Sequence, residues 1–315
     1  MSHPSVTETR IAELAAHVSE WACAHGLLAG LTNEQQAAKA RVIATFVVFC
    51  SPERPSAWGQ QLAAHITAVF FYLDDLPREW VEPEAVKLLH VLTAPDLIGQ
   101  GENSGPQLAL IEYLTQVEQV DEAGHYRREL SSLLRAMIAE ARRIQLGPWT
   151  LSDFEEYRLN VIFVREYVWS WLLSERISLN DMALAECEPL LRWASEIVAI
   201  VNDLASVSRE RALGGTDPNL VLLVENQGSS PEEALDYVVN RHENLGNVYA
   251  DLMNKLLISS TPAVPAIATV IDFVVRGNFL ATVTLSRLRY PEAVDVLRRL
   301  RLYDENYAKS LDKMR

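Results

Sequence analysis

Residues 197–210 read IVAIVNDLASVSRE, an apolar run that becomes polar halfway along. Apolar side chains recur every three to four residues in this part of the chain, which is the spacing of an amphipathic helix. Asn202, Ser206 and Glu210 are four residues apart, so a helix places them on one face over about 12 Å. The stretch therefore predicts a helix that carries a ladder of three oxygen-bearing side chains.

This ladder has two interpretations. It is either the solvated face of an amphipathic helix or a site for a hard cation such as Mg²⁺, which prefers carboxylate, amide and hydroxyl oxygens. A solvated face would more readily use Glu, Lys or Gln, because Asn and Ser are mediocre helix formers. We therefore favour the cation site, with Arg209 beside it as a candidate ligand for a phosphate group.

A second polar cluster follows another apolar run. Residues 66–79 read ITAVFFYLDDLPRE, so Asp74 and Asp75 come directly after a strongly apolar helix. Two carboxylates are costly if they are buried without partners, and the dipole opposes negative charge at a helix C-terminus. The pair is either a helix end that reaches solvent before Pro77 or a second site for divalent cations.

Helical periodicity continues through most of the chain, and no sustained alternating segment with hairpin turns appears. Ser152 with Glu155 is a predicted capping box, and Ser230 before Pro231 is a second predicted helix start. The Gly-, Pro- and Ser-rich breaks are too short to separate domains. The sequence predicts one all-α domain of about ten helices over residues 1–315.

Composition excludes several classes of function. The 315 residues include 28 Lys and Arg against 42 Asp and Glu, a formal charge of −14, and no basic run, which argues against nucleic-acid binding. Three scattered cysteines suit neither a disulfide framework nor a zinc cluster.

Residues 263–285 are long enough to span a bilayer, but Asp272 and Arg276 interrupt them, so we predict a buried helix and no stable membrane insertion. Without a signal peptide, we expect the cytoplasm.

Together the two polar clusters resemble a known family. Residues 70–79, FFYLDDLPRE, resemble the aspartate-rich motif of bacterial class I terpene synthases in its longer-spaced variant. Residues 202–210, NDLASVSRE, match the second metal motif of that family at every specified position, and the separation of the two motifs is near the usual one. Gly277 and Asn278, followed by Arg287, resemble the C-terminal helix of the family.

The resemblance implies a helical bundle around an apolar cavity with both metal motifs at its mouth. Asp74 and Asp75, with Glu79 at the end of their motif, would hold two Mg²⁺ ions. Asn202, Ser206 and Glu210 would hold a third. The implied reaction is the ionisation of a prenyl diphosphate, followed by cyclisation of the carbocation to a terpene hydrocarbon or alcohol and release of diphosphate.

Aromatic side chains in the apolar segments can stabilise a carbocation through their faces, although ordinary core packing is the more frequent role of such residues. The candidates for the lining are Phe70, Phe71, Phe163, Tyr167, Trp171 and Phe279.

Two positions depart from the family pattern. The usual diphosphate-sensing arginine is Val161 here, while Arg158 and Arg165 lie nearby on the same predicted helix. The usual C-terminal Arg-Tyr pair is also altered, since Arg287 is followed by leucine and the pair Arg289-Tyr290 lies two residues later. Any of these arginines is a candidate contact of the diphosphate, and within the C-terminal pair we favour Arg287 over Arg289, because its distance from Gly277 and Asn278 matches the family spacing.

The departure at Val161 and the aliphatic residues around it favour a C20 diphosphate, linear or bicyclic, over C15 farnesyl diphosphate. Two other functions stay open at this point. One is a chain-elongating isoprenyl diphosphate synthase, which normally carries two aspartate-rich motifs, and the other is an inactive helical homologue. The sequence also leaves the choice between monomer and homodimer open.

Overall fold

All regular secondary structure in the described part of the chain is helical. The structure is a computed structural model, and it describes residues 6–52, 54–94, 104–121, 124–177, 180–212, 214, 218–289 and 293–300. Ten of the helices have between 11 and 32 residues. The prediction of an all-α fold is confirmed.

In chain order the helices are α1 (Val6–Ala24), α2 (Asn33–Phe49), α3 (Ala57–Asp74), α4 (Arg78–Thr93), α5 (Gly105–Val117), α6 (His125–Ile144), α7 (Leu151–Asp153), a π-helical turn (Phe154–Arg158), α8 (Leu159–Val161), α9 (Val164–Ser174), α10 (Asp181–Ala212), α11 (Leu220–Asn226), α12 (Pro231–Leu257), α13 (Val264–Arg289) and α14 (Ala293–Leu297). They fall into two compact units. Unit 1 comprises Met1–Leu146 and Phe163–Ser178, and unit 2 comprises Gly147–Ile162 and Leu179–Arg315. The prediction of one domain over residues 1–315 stays a prediction.

The centre of unit 1 is α3, which packs against α1, α2, α4, α5 and α9. Ser56 caps its N-terminus, where the Ser56 hydroxyl accepts the N–H of Gly59 at 2.9 Å. A side chain at Gly59 would not fit, since its Cβ would lie 2.8 Å from Cβ of Ser174 on α9. Close approach of α3 and α9 therefore depends on this glycine.

A cluster of imidazole and indole rings joins α1 to α3 and α5 in unit 1. Nε2 of His17 lies 2.9 Å from Nε2 of His65, and the ring of Trp21 stacks on His65 at 4.0 Å. Glu112 on α5 accepts the Trp21 indole N–H at 2.8 Å and lies 3.1 Å from Nε2 of His25. Burial, together with the charges of His17 and His25, lowers the pKa of His65 to about 3.

In unit 2 the long helix α10 packs against α11, α12, α13 and α14. Among the described residues, one segment is long and apolar enough to cross a membrane by length and composition, Val264–Ser286 in α13. In unit 2 this helix contacts α10, α12 and α14, and side chains such as Val264, Ile267 and Ile271 are fully buried. These contacts agree with the predicted buried helix, and the absence of stable membrane insertion stays a prediction.

One predicted helix start is confirmed and one is wrong. Ser230 caps α12 in a capping box with Glu233. Near residue 150, the cap is Thr150 with Asp153 rather than Ser152 with Glu155. The helix begins two residues earlier because the Asp153 carboxylate accepts the Thr150 N–H at 2.7 Å, while Glu155 binds Arg241 at 3.0 Å.

Unit 1 is expected to lose stability as the pH falls from 7 to 5. Unfolded His65 takes up a proton near its ordinary pKa of 6.5, whereas folded His65 resists protonation down to about 3. The unfolded state therefore binds more protons over this interval, and the contribution of His65 to the free energy of unfolding falls by about 2 kcal/mol at pH 5. Urea unfolding at pH 7, 6 and 5, followed by circular dichroism, measures this loss.

His65→Gln removes the titrating group and should flatten the slope, while His90→Gln, at an exposed position of α4, should keep the slope of the wild type. Equal slopes for the wild type and His65→Gln would contradict the assignment.

Candidate metal and diphosphate site

The three residues of the predicted ladder lie on the continuous helix α10, four residues apart. Asn202 is exposed, while Ser206 and Glu210 are buried to 4% and 9% exposure. The Arg209 guanidinium lies 4.0 Å from a Glu210 carboxylate oxygen. The helical geometry on which the ladder depends is confirmed, and the role of its side chains as metal ligands stays a prediction.

Asp203, the residue after Asn202, is the buried anchor of this region and is 1% exposed. One carboxylate oxygen accepts a hydrogen bond from Nη2 of Arg158 at 3.1 Å, and the other accepts the backbone N–H of Leu220 at 2.9 Å. Burial raises the pKa of Asp203 to about 6, although the Arg158 charge and the Leu220 N–H oppose the rise. Through its contacts with Arg158 and Leu220, Asp203 joins α10 to the π-helical turn and to the start of α11.

Asn219 extends this network to the ladder. Its side-chain amide is fully buried and donates to the Asp203 carbonyl at 2.8 Å and to the Ser206 hydroxyl at 3.5 Å. Its side-chain oxygen accepts the N–H of Val221 at 3.0 Å, which caps α11. The Ser206 hydroxyl thus contacts a residue outside the motif, and residues behind metal ligands often orient those ligands in this way.

The donor set of the ladder suits Mg²⁺, because it contains only oxygen atoms. It includes a single carboxylate, so an ion held there keeps a net positive charge and attracts an anionic ligand such as a phosphate group. In the described ranges, no three His, Cys, Asp or Glu side chains form a metal-binding group. A site at the ladder therefore depends on the amide and the hydroxyl as well as on Glu210.

The acidic motif lies at the end of α3 in unit 1. Asp74 is the last residue of the helix, Asp75 is its C-cap, and Glu79 is in the first turn of α4. All three are exposed. Lys39 of α2 forms an ion pair with Asp75 and donates a hydrogen bond to the Phe71 carbonyl at 3.1 Å. No sequence signal identified Lys39, because it lies 36 residues from its partner.

Arg158 and Arg165 lie on different helices, so the prediction that one helix carries both is wrong. The helical path stops at Ile162, and Phe163 has the left-handed dihedrals φ 63° and ψ 15° before α9 begins. An aromatic residue adopts this conformation only where packing enforces it, and the Phe163 ring packs on Phe70 at 4.5 Å. Arg165 then pairs with Glu129 at 3.1 Å in unit 1.

The C-terminal candidates lie at the edge of the described residues. Arg287 and Arg289 are in the last turn of α13, where the backbone but not their side chains is described, and Tyr290 lies outside the described residues. The choice between the two arginines as a diphosphate contact stays a prediction.

Several of the aromatic candidates form a continuous row in unit 1. Phe163 is 4.5 Å from Phe70 and 6.0 Å from Tyr167, and Tyr167 is 6.3 Å from Trp171. Burial raises the pKa of the Tyr167 hydroxyl well above its usual value, so this group is neutral.

Two aromatic candidates lie outside this row. Phe71 contacts Phe46 edge-on at 5.8 Å, and Phe279 is buried in unit 2.

Comparison with known proteins adds independent evidence. The sequence profile of "Terpene synthase family 2, C-terminal metal binding" matches residues 66–245, which is more than half of the chain and includes both polar clusters. A search of curated protein sequences found no match.

Solved structures share the fold. The chain is similar to 2-methylisoborneol synthase from Streptomyces coelicolor A3(2), with a TM-score of 0.77 and 17% identity over 91% of this chain and 94% of that one. It is also similar to a point variant of cucumene synthase, with a TM-score of 0.75 and 20% identity over 90% and 99% of the two chains. The 2-methylisoborneol synthase is also known in complex with Mg²⁺ and geranyl-S-thiolodiphosphate, and that structure has a TM-score of 0.75 and 18% identity over 90% and 94%.

The profile covers the acidic motif, the break at Phe163 and the complete ladder of α10 in one continuous match. The helical architecture agrees with it over nine tenths of the chain. The protein belongs to terpene synthase family 2 and is a class I terpene synthase.

Proposed function

We propose that the protein uses three Mg²⁺ ions to ionise a prenyl diphosphate, cyclises the carbocation to a terpene hydrocarbon or alcohol, and releases diphosphate. The observation that carries the proposal is the oxygen ladder of α10, in which the Ser206 hydroxyl lies 3.5 Å from the buried amide of Asn219, within the segment that matches the family. The complex of 2-methylisoborneol synthase with Mg²⁺ and geranyl-S-thiolodiphosphate supports the choice of metal and substrate class.

The ladder and the acidic motif bind different Mg²⁺ ions in this proposal. Asn202, Ser206 and Glu210 hold one ion, and the motif that begins at Asp74 and ends at Glu79 holds the other two. When bound, Mg²⁺ supplies a Lewis acid that neutralises the charge of the leaving diphosphate. The residues of the chain contribute by fixing the ligands before substrate arrives, which removes the cost of reorganising them during ionisation.

The aromatic row of unit 1 suits the second stage of the reaction, in which the carbocation cyclises. A carbocation must be kept from water until it has cyclised, and the faces of aromatic rings stabilise positive charge. Phe70 and Tyr167 are each 6% exposed, so these rings lie in an apolar and largely dry part of unit 1. We assign these rings to the lining of the cavity in which the cation rearranges.

For the arginine that contacts the diphosphate, we favour Arg158 over Arg165. Arg158 binds Asp203, the immediate neighbour of Asn202, so its guanidinium is fixed next to a predicted metal ligand within unit 2. Arg165 forms an ion pair with Glu129 in unit 1. A guanidinium carries several N–H donors, so it can bind a carboxylate and phosphate oxygens at the same time.

The ladder is tested by a matched pair of serines on α10. Ser206→Ala should lower kcat/KM by about 100-fold, because removal of one group that stabilises transition-state charge typically has an effect of this size. Ser208→Ala, the same substitution two residues away, should stay within about twofold. Release of inorganic diphosphate from prenyl diphosphates in Mg²⁺ buffer measures both.

Glu210→Gln should lose at least as much turnover as Ser206→Ala, since it removes the one carboxylate of the ladder. Asp251→Asn, at an exposed position of α12, controls for the change in net charge. Near-wild-type turnover by folded Ser206→Ala and Glu210→Gln would refute the metal assignment.

The arginines are compared by conservative substitution, because removing Arg158 altogether would leave the buried Asp203 carboxylate without its cationic partner. Lysine keeps the charge but not the planar fork of donors. Arg158→Lys should lower kcat/KM by about tenfold, while Arg165→Lys should change it by less than about threefold. Steady-state kinetics with one prenyl diphosphate gives both values. A larger loss in Arg165→Lys would reverse the assignment.

For chain length, we propose a C20 diphosphate over C15 farnesyl diphosphate, because aromatic residues near Val161 are few and Leu159, Val161, Ile162 and Val164 are aliphatic. A competition assay with C10, C15 and C20 linear diphosphates and a bicyclic C20 diphosphate measures the preference as a ratio of kcat/KM values. One of the C20 substrates should be favoured by about tenfold or more. A higher kcat/KM with the C15 substrate would refute the chain length and leave the synthase assignment standing.

A further inference from the structure

Two ionic contacts hold the π-helical turn of unit 2 against α10. At the end of the turn, Arg158 donates to the buried carboxylate of Asp203 at 3.1 Å. Near its start, Glu155 is linked to α10 through Arg241 of α12, which binds both Glu155 and Glu196. All five residues belong to unit 2. The first contact involves the arginine to which we assign the diphosphate, and the second contact is not explained by that assignment.

The Arg241 guanidinium is shared between two carboxylates of different exposure. Its Nε atom donates to Oε1 of Glu196 at 2.7 Å, and its Nη2 atom donates to Oε1 of Glu155 at 3.0 Å. Glu196 is 4% exposed, whereas the side chain of Glu155 is 53% exposed. A buried carboxylate requires its cationic partner, so Glu196 fixes the guanidinium in place. The remaining donor of the guanidinium then restrains Glu155.

The two contacts reach the same face of α10. Glu196 and Asp203 are seven residues apart, which is two helical turns or about 10 Å along the axis. Glu155 and Arg158 lie in the same five-residue turn. A π-helical turn is a rare conformation that often occurs at functional sites. Because the turn is attached at two points, it cannot rotate freely about the contact between Arg158 and Asp203.

Resting on the proposed function, in which Arg158 contacts the diphosphate, we infer that Arg241 is a positioning residue for Arg158. Glu196 holds Arg241, and Arg241 holds the π-helical turn through Glu155. Arg241 and Glu155 contact neither substrate nor metal in this account. They act through the Arg158 guanidinium, which they keep beside Asp203 and therefore close to the predicted metal ligand Asn202.

Two other roles would make the same residues important. The exposed Glu155 carboxylate would act on the ligand directly if it bound Mg²⁺ or repelled the diphosphate. The ion pairs would be purely structural if they stabilised unit 2 without affecting Arg158. A direct role is independent of the residue at position 158, whereas a positioning role requires the arginine there. A double-mutant cycle between positions 155 and 158 separates these possibilities.

The main variant is Glu155→Gln, which removes the ionic contact of the turn and leaves the buried pair of Glu196 and Arg241. Glu156→Gln is the matched control, because it makes the same change of charge at the next residue of the turn, which is also exposed. Arg241→Lys keeps a positive charge for Glu196 but not the fork of donors that spans two carboxylates. Arg158→Lys and the double variant Glu155→Gln/Arg158→Lys complete the cycle.

Isothermal titration calorimetry measures the Kd for inorganic diphosphate in excess Mg²⁺, and steady-state kinetics gives kcat and KM for a prenyl diphosphate. Thermal unfolding of each variant detects loss of stability. Glu155→Gln and Arg241→Lys should each raise the Kd about fivefold, because an ion pair with an exposed partner restrains the turn modestly but a site is sensitive to small displacements. The unfolding temperature of Glu155→Gln should stay near that of the wild type.

The cycle and its control should give a distinct pattern. Arg158→Lys should raise the Kd about tenfold, and adding Glu155→Gln to it should change the Kd by less than about twofold. A lysine at position 158 has no planar fork to orient, so the restraint on the turn no longer matters. Glu156→Gln should bind diphosphate within about twofold of the wild type.

Four results would overturn the inference. An unchanged Kd in Glu155→Gln, at any unfolding temperature, would make the contact purely structural. The same fivefold loss from Glu155→Gln with arginine and with lysine at position 158 would show that Glu155 acts without Arg158. An equal loss in Glu156→Gln would reduce the effect to net charge. Wild-type binding by Arg158→Lys would leave no contact to position.

The proposed function fails separately from this inference. If the wild type bound no diphosphate in Mg²⁺ and released none from prenyl diphosphates, the synthase proposal would fail before any variant is compared. If the wild type bound diphosphate and turned over substrate while one of the four results above was obtained, only the role of Arg241 would be refuted.

Discussion

The buried carboxylate of Asp203 is the constraint on which the site in unit 2 depends. A carboxylate that is 1% exposed needs partners, and each partner comes from a different part of the chain. Arg158 belongs to the π-helical turn and Leu220 begins α11, so satisfying one charge joins these two elements to α10. The backbone carbonyl of Asp203 accepts the amide of Asn219, which also contacts the hydroxyl of the predicted metal ligand Ser206.

The same principle recurs at two other carboxylates. Lys39 pairs with Asp75 at the end of α3, and Arg241 pairs with Glu196, which is buried in α10. The ion pairs show which carboxylates are neutralised within each unit.

Features that depend on local spacing were predictable from the sequence. The face shared by Asn202, Ser206 and Glu210 follows from helical periodicity, and the start of α12 follows from Ser230, Pro231 and the acid that completes its capping box. The end of α3 at Asp74 and Asp75 was also predictable, because the periodic apolar run stops at these two aspartates. In these segments the pattern, the propensity and the tertiary structure agree.

The parts that escaped prediction depend on contacts between distant residues. Phe163 interrupts the helix with a left-handed conformation, although no glycine or proline at this point predicts a break. Its ring packs against Phe70, which lies 93 positions earlier in the chain. Arg158 and Asp203 are 45 positions apart, and Lys39 and Asp75 are 36 apart. Nothing in the local sequence distinguishes the members of such pairs from other charged residues.

We propose that the chain converts a prenyl diphosphate into a cyclic terpene with release of diphosphate. Product analysis of the purified protein with a prenyl diphosphate, in Mg²⁺ and in excess chelator, tests this reaction. We expect a cyclic hydrocarbon or alcohol together with one diphosphate per substrate consumed, and no product in chelator. An elongated prenyl diphosphate, or unchanged substrate in Mg²⁺ with every chain length, would contradict it.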